Sequence, residues 1–234
     1  MKKKYLVLAL LLTGYASPGM TQHQLVLEKL NQWNNAAPVL SNEELQEAVH
    51  STAKQIYPAS KACAESAVTL DRVHPATANR FVFRAVLRQQ MRNAWTVTAR
   101  LPGCDTVPVR YMVMQNNDNS LKTIRVNRGK SYAHDSLISD TLPLALLAAT
   151  GALQRKGIGC DAKDKFKLGV TRIKSETDGL GPDIFGVRYA GHWAEIWPIE
   201  ICDQTVEILV KFKADGDGGA FTDLPGDQIS ILPK

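Results

Sequence analysis

Two hydrophobic periods alternate along the chain. From Ser41 onward, Leu45, Ala48, Val49, Ala53 and Ile56 fall at the spacing of one helix face, and Ser41 with Glu44 forms a capping-box pattern ahead of them. Pro58 ends or kinks that helix, and Cys63 follows in a small-residue stretch that can restart it. A second helix is expected from about Asp140 to Lys156. Asp140 or Thr141 caps it, Pro143 suits its first turn, and Gly157 stands where a helix stops. Leu142 and Leu144 to Ala149 make it apolar nearly all round, the pattern of a helix buried between layers. Its apolar run falls short of the roughly 18 residues that cross a bilayer. A further helix is expected upstream, from about Gln22 to Trp33, on Leu25, Val26, Leu27, Leu30 and Trp33.

After each of the two later helices the period changes to two. Arg80–Arg88, Ala94–Leu101, Thr106–Met114 and Leu121–Val126 alternate or are rich in β-formers, separated by Pro102-Gly103 and by Asn116–Asn119. The later stretch repeats this with Phe166–Lys174, Ile184–Ala190, Trp193–Ile201 and Thr205–Lys213, with turns at 178–182 and at Gly191-His192. Short strands joined by turns imply antiparallel meanders. The fold expected is α+β: two tandem units, each a helix packed on a β-meander, spanning 41–126 and 136–234 and preceded by a helical segment at 17–40. The loop Asn127–Asp135 is the boundary between them.

An internal repeat supports that division. Trp95 and Cys104 are nine residues apart, as are Trp193 and Cys202, and each cysteine precedes an aspartate and then a strand. Cys63 precedes Cys104 by 41 residues and Cys160 precedes Cys202 by 42. Three coincidences in one register point to a duplicated unit of about 98 residues. The economical pairing is then one disulfide per unit, Cys63–Cys104 and Cys160–Cys202. Metal ligation by these cysteines fails on spacing, for there is no CxxC and no His pair nearby.

The start of the chain reads as a secretory signal. Lys2, Lys3 and Lys4 precede an apolar stretch from Tyr5 to Leu12, and Gly14-Tyr15-Ala16 places small residues for cleavage after Ala16. Tyr15 stands where a lipoprotein would need cysteine, so no lipid anchor is expected. Export to the periplasm or beyond gives the cysteines an oxidising compartment in which to pair. It also changes the charge. The formal net charge of +5 becomes 25 basic against 23 acidic residues once the three lysines are removed. Hydrophobic residues at 44% and charged residues at 22% exclude a disordered or fibrous chain.

The segment Trp193-Ala-Glu195-Ile-Trp197, followed by Cys202, a strand ending in Phe212, the glycine-rich 215–219 turn and Phe221, resembles a pattern of uncharacterised exported bacterial proteins. The resemblance covers about thirty residues. It implies an exported, disulfide-bearing module and no activity. The first unit departs from it, with Thr98 and Ala99 where the second has Ile196 and Trp197.

Catalytic signatures are absent: no GxSxG, no HExxH, no P-loop and no dinucleotide fingerprint. No cofactor and no metal is expected. His192 and Glu195 fall on opposite faces of a strand, which reads as a turn histidine beside a solvent-facing glutamate. Asp215–Gly219 lacks the third donor and distal Glu of a calcium loop and reads as a tight turn. Trp95 and Trp193 read as core residues packed near a disulfide. Trp197, without a repeat partner, is the better candidate for a ligand contact.

Charge distribution points outward. Residues 71–130 hold eleven basic and three acidic residues. Arg80, Arg84 and Arg88 share parity on an expected strand opposite Phe81 and Phe83, making a guanidinium ladder on an exposed sheet face. With Arg110 and Arg125 they form a candidate dock for an acidic protein or an anionic envelope component, because the guanidinium fork matches carboxylate and phosphate. Too few aromatics interleave for nucleic acid. Two function classes follow. One is an exported, non-enzymatic binding or adaptor protein. The other is an exported hydrolase with a site assembled from the loops around His74, His134 and Asp135.

Overall fold

Ser41 opens the first described helix, α1 (Asn42–Ile56), as its side chain predicts. Its hydroxyl accepts from the Glu44 N–H, and the Glu44 carboxylate accepts from the Ser41 N–H at 2.8 Å. Leu45, Val49 and Ala53 form its buried face. The computed structural model describes residues 39–76, 79–161, 165–177 and 179–233, together with 28, 31 and 32. The expected signal segment, and all but those three positions of the 17–38 segment, lie outside the described residues.

A short helix α2 (Lys61–Ala64) carries Cys63 and leads into β1 (Thr69–Pro75), α3 (Arg80–Leu87), β2 (Asn93–Arg100), β3 (Val109–Gln115) and β4 (Leu121–Gly129). Then come α4 (Asp135–Arg155), β5 (Phe166–Leu168), β6 (Val170–Glu176), β7 (Asp183–Ile184), β8 (Val187–Arg188), β9 (His192–Ile201), β10 (Gln204–Ala214), β11 (Ala220–Asp223) and β12 (Ser230–Leu232). Ten strands form one sheet in the order β1-β2-β3-β4-β6-β9-β10-β11, with β5 added on β9 and β12 on β10. The pair β7–β8 stands apart as a small hairpin.

Each half of the sheet is antiparallel. They join through a parallel contact of two residue pairs, Arg128 with Val170 and Gly129 with Thr171. Gly129 has φ +85°, and a Cβ there would sit 2.2 Å from the Thr171 carbonyl oxygen, so only glycine permits this junction. Asn127 donates to the Thr171 hydroxyl at 3.1 Å across it, which places both side chains on one face.

Following that register shows what each helix covers. In the first half α1 packs on Trp95, Val97, Ala99, Val109, Tyr111 and Val113. In the second, α4 packs on Trp193, Trp197, Ile199, Val206, Ile208, Val210 and Phe212. Because Thr171 and Glu195 share the Asn127 side of the sheet, α4 lies on the face opposite α1.

Both disulfides form as the spacing predicts, Cys63–Cys104 and Cys160–Cys202. Each ties the chain after a helix to the turn following a Trp-bearing strand. Four expectations are corrected. The single strand expected over Ile184–Ala190 is instead the β7–β8 hairpin, turning at Phe185 and Gly186. Arg80–Leu87 is a helix, not a strand: Asn79 caps it by accepting from the Phe81 and Val82 N–H groups, and Val82, Ala85 and Val86 turn inward at helical spacing. The eight-residue run satisfies both periods, and the cap decides between them. The second long helix begins at Asp135, so Pro143 sits inside it. Pro143 and Ser139 are both exposed there, which leaves the carbonyl that loses its partner on the solvent side. The single strand expected over Phe166–Lys174 is split at Gly169. Strand β1 had no signal in the pattern. At 21 residues α4 is long and apolar enough to cross a membrane by length and composition, but half of that apolar window is buried in the fold.

Candidate functional site

The face of the first half that α1 leaves open carries polar residues. Register places His74 opposite Thr96, and Arg72 opposite Thr98, which in turn pairs with Arg110. Over this row sit the β7–β8 hairpin, the loop 130–133 and the start of α4. Together they enclose a cavity of about 290 Å³.

The hairpin turns on Phe185 and Gly186, both in the left-handed region at φ +50° and +83°. That is the geometry of a two-residue turn, unusual for a residue as bulky as Phe. Arg72 holds the hairpin down through a two-pronged bond to Asp183, with Nη1 donating to Oδ2 at 2.8 Å. Asp183 also accepts from the Gly186 N–H at 2.7 Å. Burial opposes its charge, but Arg72 and that N–H outweigh burial and hold the carboxyl below its ordinary range. Gly186 lies against the His74 ring, where a Cβ would approach Cε1 to 2.6 Å.

Both histidines of the cavity are neutral bases in defined tautomers. Nδ1 of His74 lies 3.1 Å from the Pro75 carbonyl, which can only accept, so Nδ1 carries the proton and Nε2 the lone pair. His134 is the reverse: Nε2 donates to the Gly218 carbonyl at 2.8 Å, and Nδ1 is buried without a hydrogen bond. Burial is the main cause that lowers both pKa values. Asp135 accepts from the Thr96 hydroxyl at 3.0 Å, while its other oxygen faces Arg110 at 3.8 Å and has no hydrogen bond.

Arg110 donates to the Ala133 and Ser131 carbonyls, each at 2.6 Å, and so shapes the loop that leads into His134 and Asp135. The same loop is gripped from below by Glu195. This carboxylate is fully buried and accepts five hydrogen bonds: from Ser131 Oγ at 2.7 Å, the N–H groups of Tyr132 at 2.8 Å and Ala133 at 3.1 Å, and the indoles of Trp193 at 3.0 Å and Trp197 at 2.8 Å. Five donors and no cation satisfy it. The W-x-E-x-W spacing thereby acquires a physical meaning. Period two puts both indoles and the carboxylate on one face, and Phe212 stacks on Trp193 at 5.1 Å.

Cations dominate the cavity wall: Arg72, Arg100, Arg110, Lys130 and Arg188 face Asp71, Asp135 and Asp183. Each aspartate is paired, with Arg100, Arg110 and Arg72 respectively. Arg188 rests 4.8 Å over the Tyr132 ring and donates to the Gly181 carbonyl, and its Nε is buried without a partner. Among the described residues neither Arg188 nor Lys130 has an acidic partner.

The expected dock of five arginines is dispersed. Arg80 and Arg84 lie on α3 and Arg88 caps its end. Arg110 is in the cavity. Arg125 is on the opposite face, donating to the Tyr57 hydroxyl at 3.3 Å beneath α1. By contrast, His74, His134 and Asp135 are brought to one cavity from β1 and the start of α4. Glu195 is buried rather than solvent-facing, and Trp197 is buried too, so it offers no outward contact. Asp215 closes its turn by accepting from the Asp217 and Gly219 N–H groups, as a tight turn does. Among the described residues no group of three His, Cys, Asp or Glu side chains stands together to hold a metal. The chain matches no family model, no curated protein and no solved structure.

Arg188, Lys130 and Tyr132 carry no local signature as a group, because only the β7–β8 hairpin and the 130–133 loop bring them together. Glu195 did carry a signal, since a carboxylate two residues from each of two indoles shares their face.

Proposed function

We propose that this is an exported, non-enzymatic binding protein that holds a small anion, a carboxylate or a phosphate, in the cavity over β1–β3. The observation that carries the reading is the wall charge: five cations against three aspartates already paired, leaving Arg188 and Lys130 for a ligand. Export is supported by two disulfides and by the signal-like first sixteen residues. Duplication of an ancestral unit is supported by element order. Along the main path of the sheet each half runs helix, strand, insertion, then three strands, β1-β2-β3-β4 and β6-β9-β10-β11. The insertions are α3 and the β7–β8 hairpin, and α2, β5 and β12 have no counterpart in the other half.

Titration calorimetry with phosphate, citrate and succinate tests this. At least one should bind, and Lys130→Gln with Arg188→Gln should weaken it roughly 100-fold, since a bond to a charged group contributes about 1.5–3 kcal/mol. Heatless titrations with all three anions would overturn the proposal. A second reading, an exported hydrolase, is favoured by the convergence of His74, His134 and Asp135. It requires turnover of an ester, amide or phosphoester that His134→Ala abolishes.

A further inference from the structure

The turn of the β7–β8 hairpin holds a residue that the fold does not ask for. Phe185 takes the first position of the two-residue turn between Ile184 and Val187, at φ +50°, and Gly186 follows at +83°. Two positive φ angles favour Asn-Gly, because a bulky side chain is strained in the left-handed region. Burial in a core could offset that strain. Among the described residues, however, Phe185 joins none of the three apolar clusters, and no ring stacks on it. The turn between β9 and β10 makes the comparison. Cys202 and Asp203 stand there at φ +50° and +55°, and the bridge to Cys160 accounts for the cysteine. Phe185 has no such bond. What it has is a place on the cavity wall, which it shares with the apolar side chains of Ala76, Pro108, Ile173 and Val187.

Strain that neither a turn nor a core offsets is a feature of ligand sites. We infer that the cavity takes an anion carrying an apolar group, such as the aryl of a phenyl phosphate, which the Phe185 ring covers while the wall cations hold the charge. This rests on the anion reading above and adds the ligand's other half. A bare phosphate or a small polyanion would leave the ring without a partner. An uncharged aromatic would leave Arg188 and Lys130 without one. A ligand with both ends uses both parts of the wall, and a flat ring suits the face of a phenylalanine.

Calorimetric titration of the exported protein with inorganic phosphate and with phenyl phosphate tests the assignment. Phenyl phosphate should bind roughly 10- to 100-fold tighter, the range that burying one aromatic ring gives. Phe185→Asn removes the ring and supplies the residue this turn favours. It should raise Tm by roughly 2–4 °C and bring the two affinities together. Phe185→Tyr keeps the ring and should keep the preference. Equal affinities in the parent protein overturn the inference and leave the anion reading standing. If neither compound gives heat the inference falls, and with citrate and succinate also silent the anion reading falls with it. A Phe185→Asn protein that melts no higher than the parent shows the ring to be part of the fold and overturns the inference. So does one that loses phosphate and phenyl phosphate in equal measure, which would make the ring a lid over the cavity.

Discussion

Replacing Glu195 with glutamine changes one oxygen for an amino group and tests the clasp under the cavity loop. Oε1 accepts from three N–H groups, those of Tyr132, Ala133 and Trp193, so an amide nitrogen cannot occupy that side. It must replace Oε2, which accepts from Ser131 Oγ and Trp197 Nε1. Ser131 can adapt. Its hydroxyl turns to accept from the new amide and donates to the Ala133 carbonyl, already 3.3 Å away. Trp197 cannot, because an indole only donates. One buried donor is left facing another. The charge-assisted bond is worth about 1.5–3 kcal/mol and the orphaned donor costs about 1–3 kcal/mol, so Glu195→Gln should destabilise by about 3 kcal/mol. Urea unfolding followed by tryptophan fluorescence, with disulfides intact, measures this. Trp197→Phe removes the stranded donor, so the double variant should lose about 2 kcal/mol less than the sum of the singles. A Glu195→Gln protein within about 0.5 kcal/mol of the parent, or an additive cycle, would refute the clasp.

Two further outcomes follow from the fold. Removing either bridge, Cys63→Ser with Cys104→Ser or Cys160→Ser with Cys202→Ser, frees a loop of 41 or 42 residues and should cost about 4 kcal/mol by urea unfolding; a loss below about 1 kcal/mol would show that the bridge restrains little. His74 and His134, both lowered by burial, bind protons more weakly folded than unfolded. The stability tied to their neutrality is therefore full above the ordinary value of 6.5 and declines as pH falls through it toward their folded values, and NMR titration of either imidazole at or above 6.5 would contradict this.

Local pattern determined much of this protein. The Ser41 capping box, the strands bearing Trp95 and Trp193 and the tight turn at Asp215 follow from interactions within a few residues. The disulfide pairing was legible for a different reason, since the two Trp-to-Cys spacings repeat in register. Tertiary structure alone decided the rest. Phe81, Val82, Phe83 and Ala85 fit a strand or a helix equally, and only the Asn79 cap and the sheet beneath chose. The cavity joins β1, the start of α4 and a hairpin more than a hundred residues downstream of Arg72, a juxtaposition without local signature. Glu195 lies between. Its face was readable from period two, but its burial depended on α4 and the 130–133 loop closing over that face, because a carboxylate enters a core only where the fold supplies donors for it.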